Sequence, residues 1–522
     1  MAETIPVAEG APSPGVRSRR RGAMVMLVGG YVNLLLLVVQ GLVLVPVYLR
    51  FLGAEVFGAW MASGDLLGWL AVLDMGIAGI SQQRMAAAHG RGDHRVIGDY
   101  FGTGLMVQAV LVGVLTLLAV AAAPFVPGWM RLQGEAGAEL AACFAVAGLA
   151  TGLGLLGNVV SALALSTQRM VFVNLAIFGA GVAGLGATLA LLLSGHGLWA
   201  LALGMLVRSG TLLLAVGGHA AYVLRRDLQV RARLRWEVAR EFSGLSGVSV
   251  LTMLGNTAVG RSDAVLVALF FGPVAVTPYM LTRRAADLLA MFLARIGGAV
   301  YPGFAHLVGS GDHARAARVL GQVARVYFAA AVPTGALYLA LNRTFVELWV
   351  GSGQYAGQLV TVLVGLNVLV VGWGALLLYL LGATGSLRAS GLGIFAEAVV
   401  RVGLALSLLV TWGVPGLPLA GVATSAAAAW IAWGWLHRRL GASRPALVPR
   451  QVAASALLLA AGAAAGTVRW GTTWPAFVGW AAGFGVLAAG MVLLAVPFTR
   501  GYAARLLVRL RGAPQPAGSA GS

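Results

Sequence analysis

The sequence has no lysine, a single cysteine and only 17 acidic residues in a chain of 522. Each scarcity closes a class of function. Without lysine there can be no GxxxxGK[ST] phosphate loop, so ATP hydrolysis by that route is excluded. Cys143 stands alone inside an apolar stretch, which rules out a disulfide framework and a thiolate zinc site. Charged residues make up only 10% of the chain, against roughly a quarter in soluble domains. A water-exposed surface cannot be built from so little charge. Period-two alternation with turn punctuation is missing too, which removes a β-barrel. The polar opening, Met1 to Gly15, lacks the pattern of a cleavable signal peptide.

What is present is apolar sequence. Hydrophobic residues make up 59% of the chain, the mean hydropathy is +0.87, and stretches of about 20 apolar residues recur from end to end. Each is long enough to cross a bilayer as a helix. Reading these windows predicts an all-α membrane protein with spans near 24–47, 57–80, 101–124, 139–164, 171–194, 198–223, 243–271, 276–304, 320–342, 357–383, 390–411, 416–436, 452–468 and 476–497. No connecting loop reaches domain size, so a catalytic domain outside the membrane is not expected. All 36 basic residues are arginine. With both termini inside, 25 of them fall in cytoplasmic segments and four (Arg50, Arg131, Arg343 and Arg469) in outside loops. That bias orients the chain with its termini in the cytoplasm. It also reads the net charge of +19 as a topology signal rather than a nucleic-acid footprint.

The chain repeats itself. Phe51-Leu52-Gly53 is followed by Phe57, Trp60, Met61 and Asp65; at a constant offset, Phe270-Phe271-Gly272 is followed by Val276, Tyr279, Met280 and Arg284. Each copy links two spans through a short turn, six spans apart. Two six-helix lobes of one orientation are expected around a central cationic cavity, with two further C-terminal helices. The expected segments are a cytoplasmic tail over 1–22, an N-terminal lobe over 23–224, a basic linker over 225–241, a C-terminal lobe over 242–440, the last two spans within 441–498, and a cytoplasmic tail over 499–522.

Ionisable residues within the spans are the candidate functional groups. A central arginine costs about 2.5–3.5 kcal/mol on insertion scales, so most must face a wet path or a partner. Arg208, Arg261, Arg283, Arg284, Arg295, Arg325 and Arg401 fall within spans, with Arg325 near an end; the acids there are Asp65, Asp74, Asp263, Asp287 and Glu397. The surplus of guanidinium suits an anion, phosphate above all, which arginine grips with a two-pronged fork. Arg284 and Arg295 lie about 20° apart on one helical face, separated by about 16 Å of rise. Asp287 is placed to pair with Arg283 or Arg284, Glu397 with Arg401, and Asp74 with Arg84 or a helix end. The carboxylates, which repel a diphosphate, are expected to serve as ion-pair or coupling groups.

Tyr48-Leu49-Arg50-Phe51-Leu52-Gly53, then Glu55, Phe57-Gly58 and Trp60, then Leu73-Asp74-Met75-Gly76 resemble the Wzx-type polysaccharide flippases. These belong to the multidrug/oligosaccharidyl-lipid/polysaccharide (MOP) superfamily, which also contains the MATE antiporters. The resemblance implies a bacterial inner-membrane transporter, not an enzyme. Its cargo would be an undecaprenyl-diphosphate-linked oligosaccharide, moved by alternating access of two lobes. It implies no cofactor, a proton or sodium gradient as driving force, and polysaccharide polymerases as partners. The alternatives are a MATE-like multidrug antiporter, which should have a net acidic site, and a polytopic glycan polymerase or ligase, which should have a large outside loop.

Overall fold

In a computed structural model the described residues, 14–442 and 449–495, form helices and short turns with no strand. The expected tail over 499–522 and Arg444 lie outside them, as do residues 1–13 of the expected N-terminal tail. Among the described residues ten helices are long and apolar enough to cross a membrane, and two shorter apolar helices follow them.

The chain runs α1 (Pro14–Leu70), α2 (Ile77–Gly90), α3 (His94–Ala122), α4 (Val126–Trp129), α5 (Gly134–Ser166), α6 (Met170–Leu193) and α7 (Trp199–Tyr222). After the linker come α8 (Trp236–Arg261), α9 (Asp263–Phe271), α10 (Pro273–Gly309), α11 (His313–Val350) and α12 (Gln358–Ala383). Then follow α13 (Leu387–Trp412), α14 (Gly416–Arg439), α15 (Pro449–Ala465) and α16 (Trp474–Ala495). The first expected span and the start of the second share α1, joined across Gly53 at φ 76°, ψ 166°. The matching glycine of the second repeat copy, Gly272, has φ 82°. Only glycine takes this backbone region without strain, so the glycine of each repeat copy marks the same kind of reversal. The expected span 57–80 is not one helix. It breaks at Leu73-Asp74-Met75-Gly76, where a short 3-10 turn ends and Met75 and Gly76 have φ of 51° and 74°.

Two compact units emerge. One holds the described chain up to Thr257 with Phe271–Val274, the other Ala258–Phe270 with the chain from Ala275 onward. Helices in the first unit touch through small residues. A Cβ on Gly184 of α6 would stand 2.6 Å from the Cβ of Arg208 on α7, and in the same seam a Cβ on Gly204 would collide with the Thr188 hydroxyl, which donates to the Gly184 carbonyl. In lipid, where no hydrophobic drive separates helix from solvent, such close contact is what holds helices together. The second unit's core gathers Phe304, Tyr327, Leu377 and Leu436 from α10, α11, α12 and α14.

The basic linker is docked on the first unit. Arg233 N–H donates to the Gly98 carbonyl at 3.2 Å. Thr103 Oγ1 donates to the Arg233 carbonyl at 3.3 Å and accepts from Arg235 N–H at 2.9 Å. Gly98 and Gly102 leave room for this strap: a Cβ on either would come within 2.6 Å of the carbonyl oxygen of Arg231 or Arg233. Below it, Glu241 binds both the Arg84 guanidinium and the Tyr100 hydroxyl. Gly102→Leu is therefore expected to lift the strap at a cost of about 1–3 kcal/mol. Limited trypsin digestion of the detergent-solubilised protein checks this: cleavage after Arg231, Arg233 and Arg235 should accelerate while the rest of the digest is unchanged.

Candidate functional site

The second unit gathers the densest set of expected site residues. α9 begins at Asp263, only 4% exposed, whose carboxylate accepts from the Tyr279 hydroxyl at 2.8 Å and from Arg283 Nη1 at 2.6 Å. One turn along α10, Asp287 takes Arg283 Nε at 2.8 Å. Arg283 is thus clamped between two carboxylates from two helices. Because the pair is largely withdrawn from water, its members stabilise each other only while both are present.

Arg284, the next residue, is half-buried and has no carboxylate within ion-pair distance among the described residues. Asp287, which helical spacing leaves free to pair with either arginine, goes to Arg283. The reason is that Arg283 is already held by Asp263, so its guanidinium lies where Asp287 reaches Nε. Among the described residues no carboxylate compensates the Arg284 charge. Arg295, further along α10, is exposed, as are Arg208 on α7 and Arg261 at the end of α8. Of the expected arginines, Arg283 is the one held in the Asp263–Tyr279–Asp287 cluster.

The expected Glu397–Arg401 pair does not form. The Glu397 carboxylate accepts from the Ser425 hydroxyl on α14 instead. Arg401 is 3% exposed, and its Nη1 is buried without a hydrogen-bond partner. Gly421 makes room for it: a Cβ there would lie 2.8 Å from Nη1 and would also collide with Asn367 Oδ1, itself unpartnered. An unpaired buried guanidinium is costly, and here it sits against a second orphaned polar atom.

In the first unit, Asp65 lies half-buried on α1 and has an interaction partner. Asp74 sits at the helix break, its Oδ1 buried and unpartnered. The expected partner Arg84 is taken by Glu241. Against this turn packs α3, whose fully buried Gln108 amide lies beside the Asp74 carboxylate. Asn33 Nδ2 donates to the Asn174 carbonyl at 3.2 Å, and Gln40 Nε2 to the Gly181 carbonyl at 3.2 Å, so these two amides join α1 to α6.

Sequence reasoning passed over three groups. Tyr279 carried a signal: it stands where the first repeat copy has Trp60, and it brings a hydroxyl to a buried site. Ser425 and Glu241 carried none, because hydroxyls and interfacial acids are common. Only packing shows which one meets Glu397 or Arg84.

Comparison with known proteins adds to this geometry. Residues 101–356, just under half of the chain, match the family model described as polysaccharide biosynthesis protein. Over this stretch the chain is similar to that family. No curated protein sequence matches. Among solved structures, the chain is similar to an inward-facing multidrug resistance MATE family transporter of the MOP superfamily: TM-score 0.64, 16% identity, 80% of this chain and 98% of that one. An outward-facing MATE transporter of the same superfamily gives TM-score 0.58 at 16% identity, over 81% and 95% of the two chains. The Vibrio cholerae MATE transporter VcmN in its bent form gives 0.55 at 12% identity, over 80% and 95%. The chain thus has the MATE fold, and its long apolar helices make it a multi-pass membrane protein.

Proposed function

We propose that this protein is a flippase of the bacterial cytoplasmic membrane. It moves undecaprenyl-diphosphate-linked oligosaccharide repeat units from the inner to the outer leaflet by alternating access. The observation that supports the reading is the split between neighbours on α10: Arg283 is neutralised by Asp263 and Asp287, whereas Arg284 has no carboxylate within ion-pair distance among the described residues. A guanidinium left charged at membrane depth is costly unless an anion compensates it, and a diphosphate offers the oxygens its fork matches. Arg284 and Arg295 are the foremost anion stations, with Arg208, Arg261 and Arg401 as further contacts. Asp65, Asp74, Asp263, Asp287 and Glu397 serve as ion-pair or coupling groups to a proton or sodium gradient. The termini face the cytoplasm, and a polysaccharide polymerase on the far side takes the delivered unit.

The test is transport itself. Full-length protein in proteoliposomes, loaded with a fluorescent lipid-diphosphate oligosaccharide in the inner leaflet, is expected to expose that lipid to an external quencher faster than empty vesicles do. Equal rates with and without protein, together with extrusion of a cationic dye, would replace the flippase with a drug antiporter.

A further inference from the structure

Arg318, Gln322 and Arg325 on α11 follow one another at i, i+4 and i+7, within an arc of about 60° and about 10 Å of rise. This polar face meets the C-terminal end of α14, where His437 lies. Ala317 and Gly321 are too small to fill the space between, which leaves a cavity of about 340 Å³ lined by these six residues and Ala442. No acidic side chain lines it. Both arginines are exposed, and Arg325 reaches only the Gly321 carbonyl of its own helix, at 3.4 Å.

His437 is the unusual member. It is 3% exposed, although it stands at the end of a helix among exposed Arg438 and Arg439. Its ring packs on Trp433 with centroids 4.3 Å apart, and Nδ1 lies 2.9 Å from the Trp433 carbonyl. A carbonyl oxygen only accepts, so Nδ1 carries the hydrogen. Nε2 is then the ring atom left for a ligand, an acceptor in the neutral ring. The cavity thus offers two fork donors and one buried acceptor.

Its position adds a second constraint. Arg318 and Arg325 lie about 8 and 18 Å along α11 from His313, on the arginine-rich face read as cytoplasmic. Val326 and Phe328, just beyond Arg325 toward the middle of the helix, are exposed apolar side chains that flank this face on its two sides, each about 80° from Arg318. A soluble anion has no use for those apolar flanks. A lipid does, and basic pockets between membrane helices at the cytoplasmic face bind anionic headgroups.

We infer that this cavity holds the headgroup of an anionic phospholipid. The phosphate lies between Arg318 and Arg325, a headgroup hydroxyl donates to His437 Nε2, and the acyl chains run along Val326 and Phe328. Phosphatidylglycerol supplies both groups. The ammonium of phosphatidylethanolamine would face two guanidiniums and be disfavoured. The site is separate from Arg284 and does not depend on which cargo the protein carries.

Native mass spectrometry of the full-length protein in detergent, with defined lipids added, tests the assignment. Phosphatidylglycerol should bind wild type about tenfold or more tightly than it binds Arg318→Gln/Arg325→Gln, since two charge-assisted contacts are removed. Phosphatidylethanolamine should bind wild type weakly, and inorganic phosphate should not displace phosphatidylglycerol. His437→Gln should weaken phosphatidylglycerol while leaving phosphatidic acid, which lacks the headgroup glycerol and its hydroxyls, unchanged. Both arginines are exposed, so the double variant is expected to keep the wild-type melting temperature in lipid-free detergent. Equal phosphatidylglycerol binding by wild type and the double variant overturns the site. Displacement by inorganic phosphate overturns the lipid and leaves a plain anion pocket.

Discussion

Arg284→Ala is expected to abolish movement of the lipid-linked oligosaccharide while the protein still folds and inserts at its normal level. The physical ground is that Arg284 has no carboxylate within ion-pair distance among the described residues, so its removal strands no buried partner charge. Loss of a single charge-assisted contact to a phosphate in a low-dielectric site is worth about 1.5–3 kcal/mol, a 10- to 100-fold drop in rate if the contact is made at the barrier. Arg284→Lys restores the charge but not the two-pronged geometry, so it should recover only part of the rate. Arg295→Ala, about 16 Å further along the same face, should behave alike if the two act as successive stations. The measurements are transport in proteoliposomes and membrane level by immunoblot. Wild-type transport by Arg284→Ala/Arg295→Ala would remove both from the mechanism.

Its neighbour should behave in the opposite way. Asp263→Ala takes one carboxylate from Arg283 and the acceptor from Tyr279, leaving the guanidinium with Asp287 alone and the buried phenol without its acceptor. Breaking a buried ion pair from one side costs about 3–5 kcal/mol, so membrane levels and melting temperature should fall sharply. Replacing the group as a whole, Asp263→Asn with Arg283→Met and Asp287→Leu, removes the stranded charges and should recover much of the level, because an apolar substitute for a buried ionic cluster is often neutral or stabilising. Should Asp263→Ala accumulate and melt like wild type, the cluster would have no structural role. If the repacked variant also transports normally, coupling would not pass through it.

The contrast between these neighbours explains what could be read from the sequence. Membrane residence, the order of spans and the orientation bias are one-dimensional properties. They depend on the length of apolar runs and on where arginines fall between them, which the chain displays directly. The reversal at Gly53 and Gly272 was also legible, since a repeated glycine at a fixed place is the mark of a backbone region other residues avoid. The break of the second span at Met75 and Gly76 was not. Hydropathy runs straight through it, and a single non-glycine residue in a left-handed conformation leaves no pattern.

Charge pairing belongs to the other category. Helical spacing allows Asp287 to meet Arg283 or Arg284, and Glu397 to meet Arg401, with equal ease. The choice was made by groups distant in the chain: Asp263 drew Arg283 to itself, and Ser425 on α14 took Glu397. Arg84 likewise went to Glu241 rather than to Asp74. The sequence by itself determined which residues are charged and that the membrane makes those charges costly. Only the tertiary structure decided which guanidiniums are neutralised and which remain for a ligand. An ion pair is settled over a few ångströms between helices, and spacing along one helix carries no information about what the next helix brings.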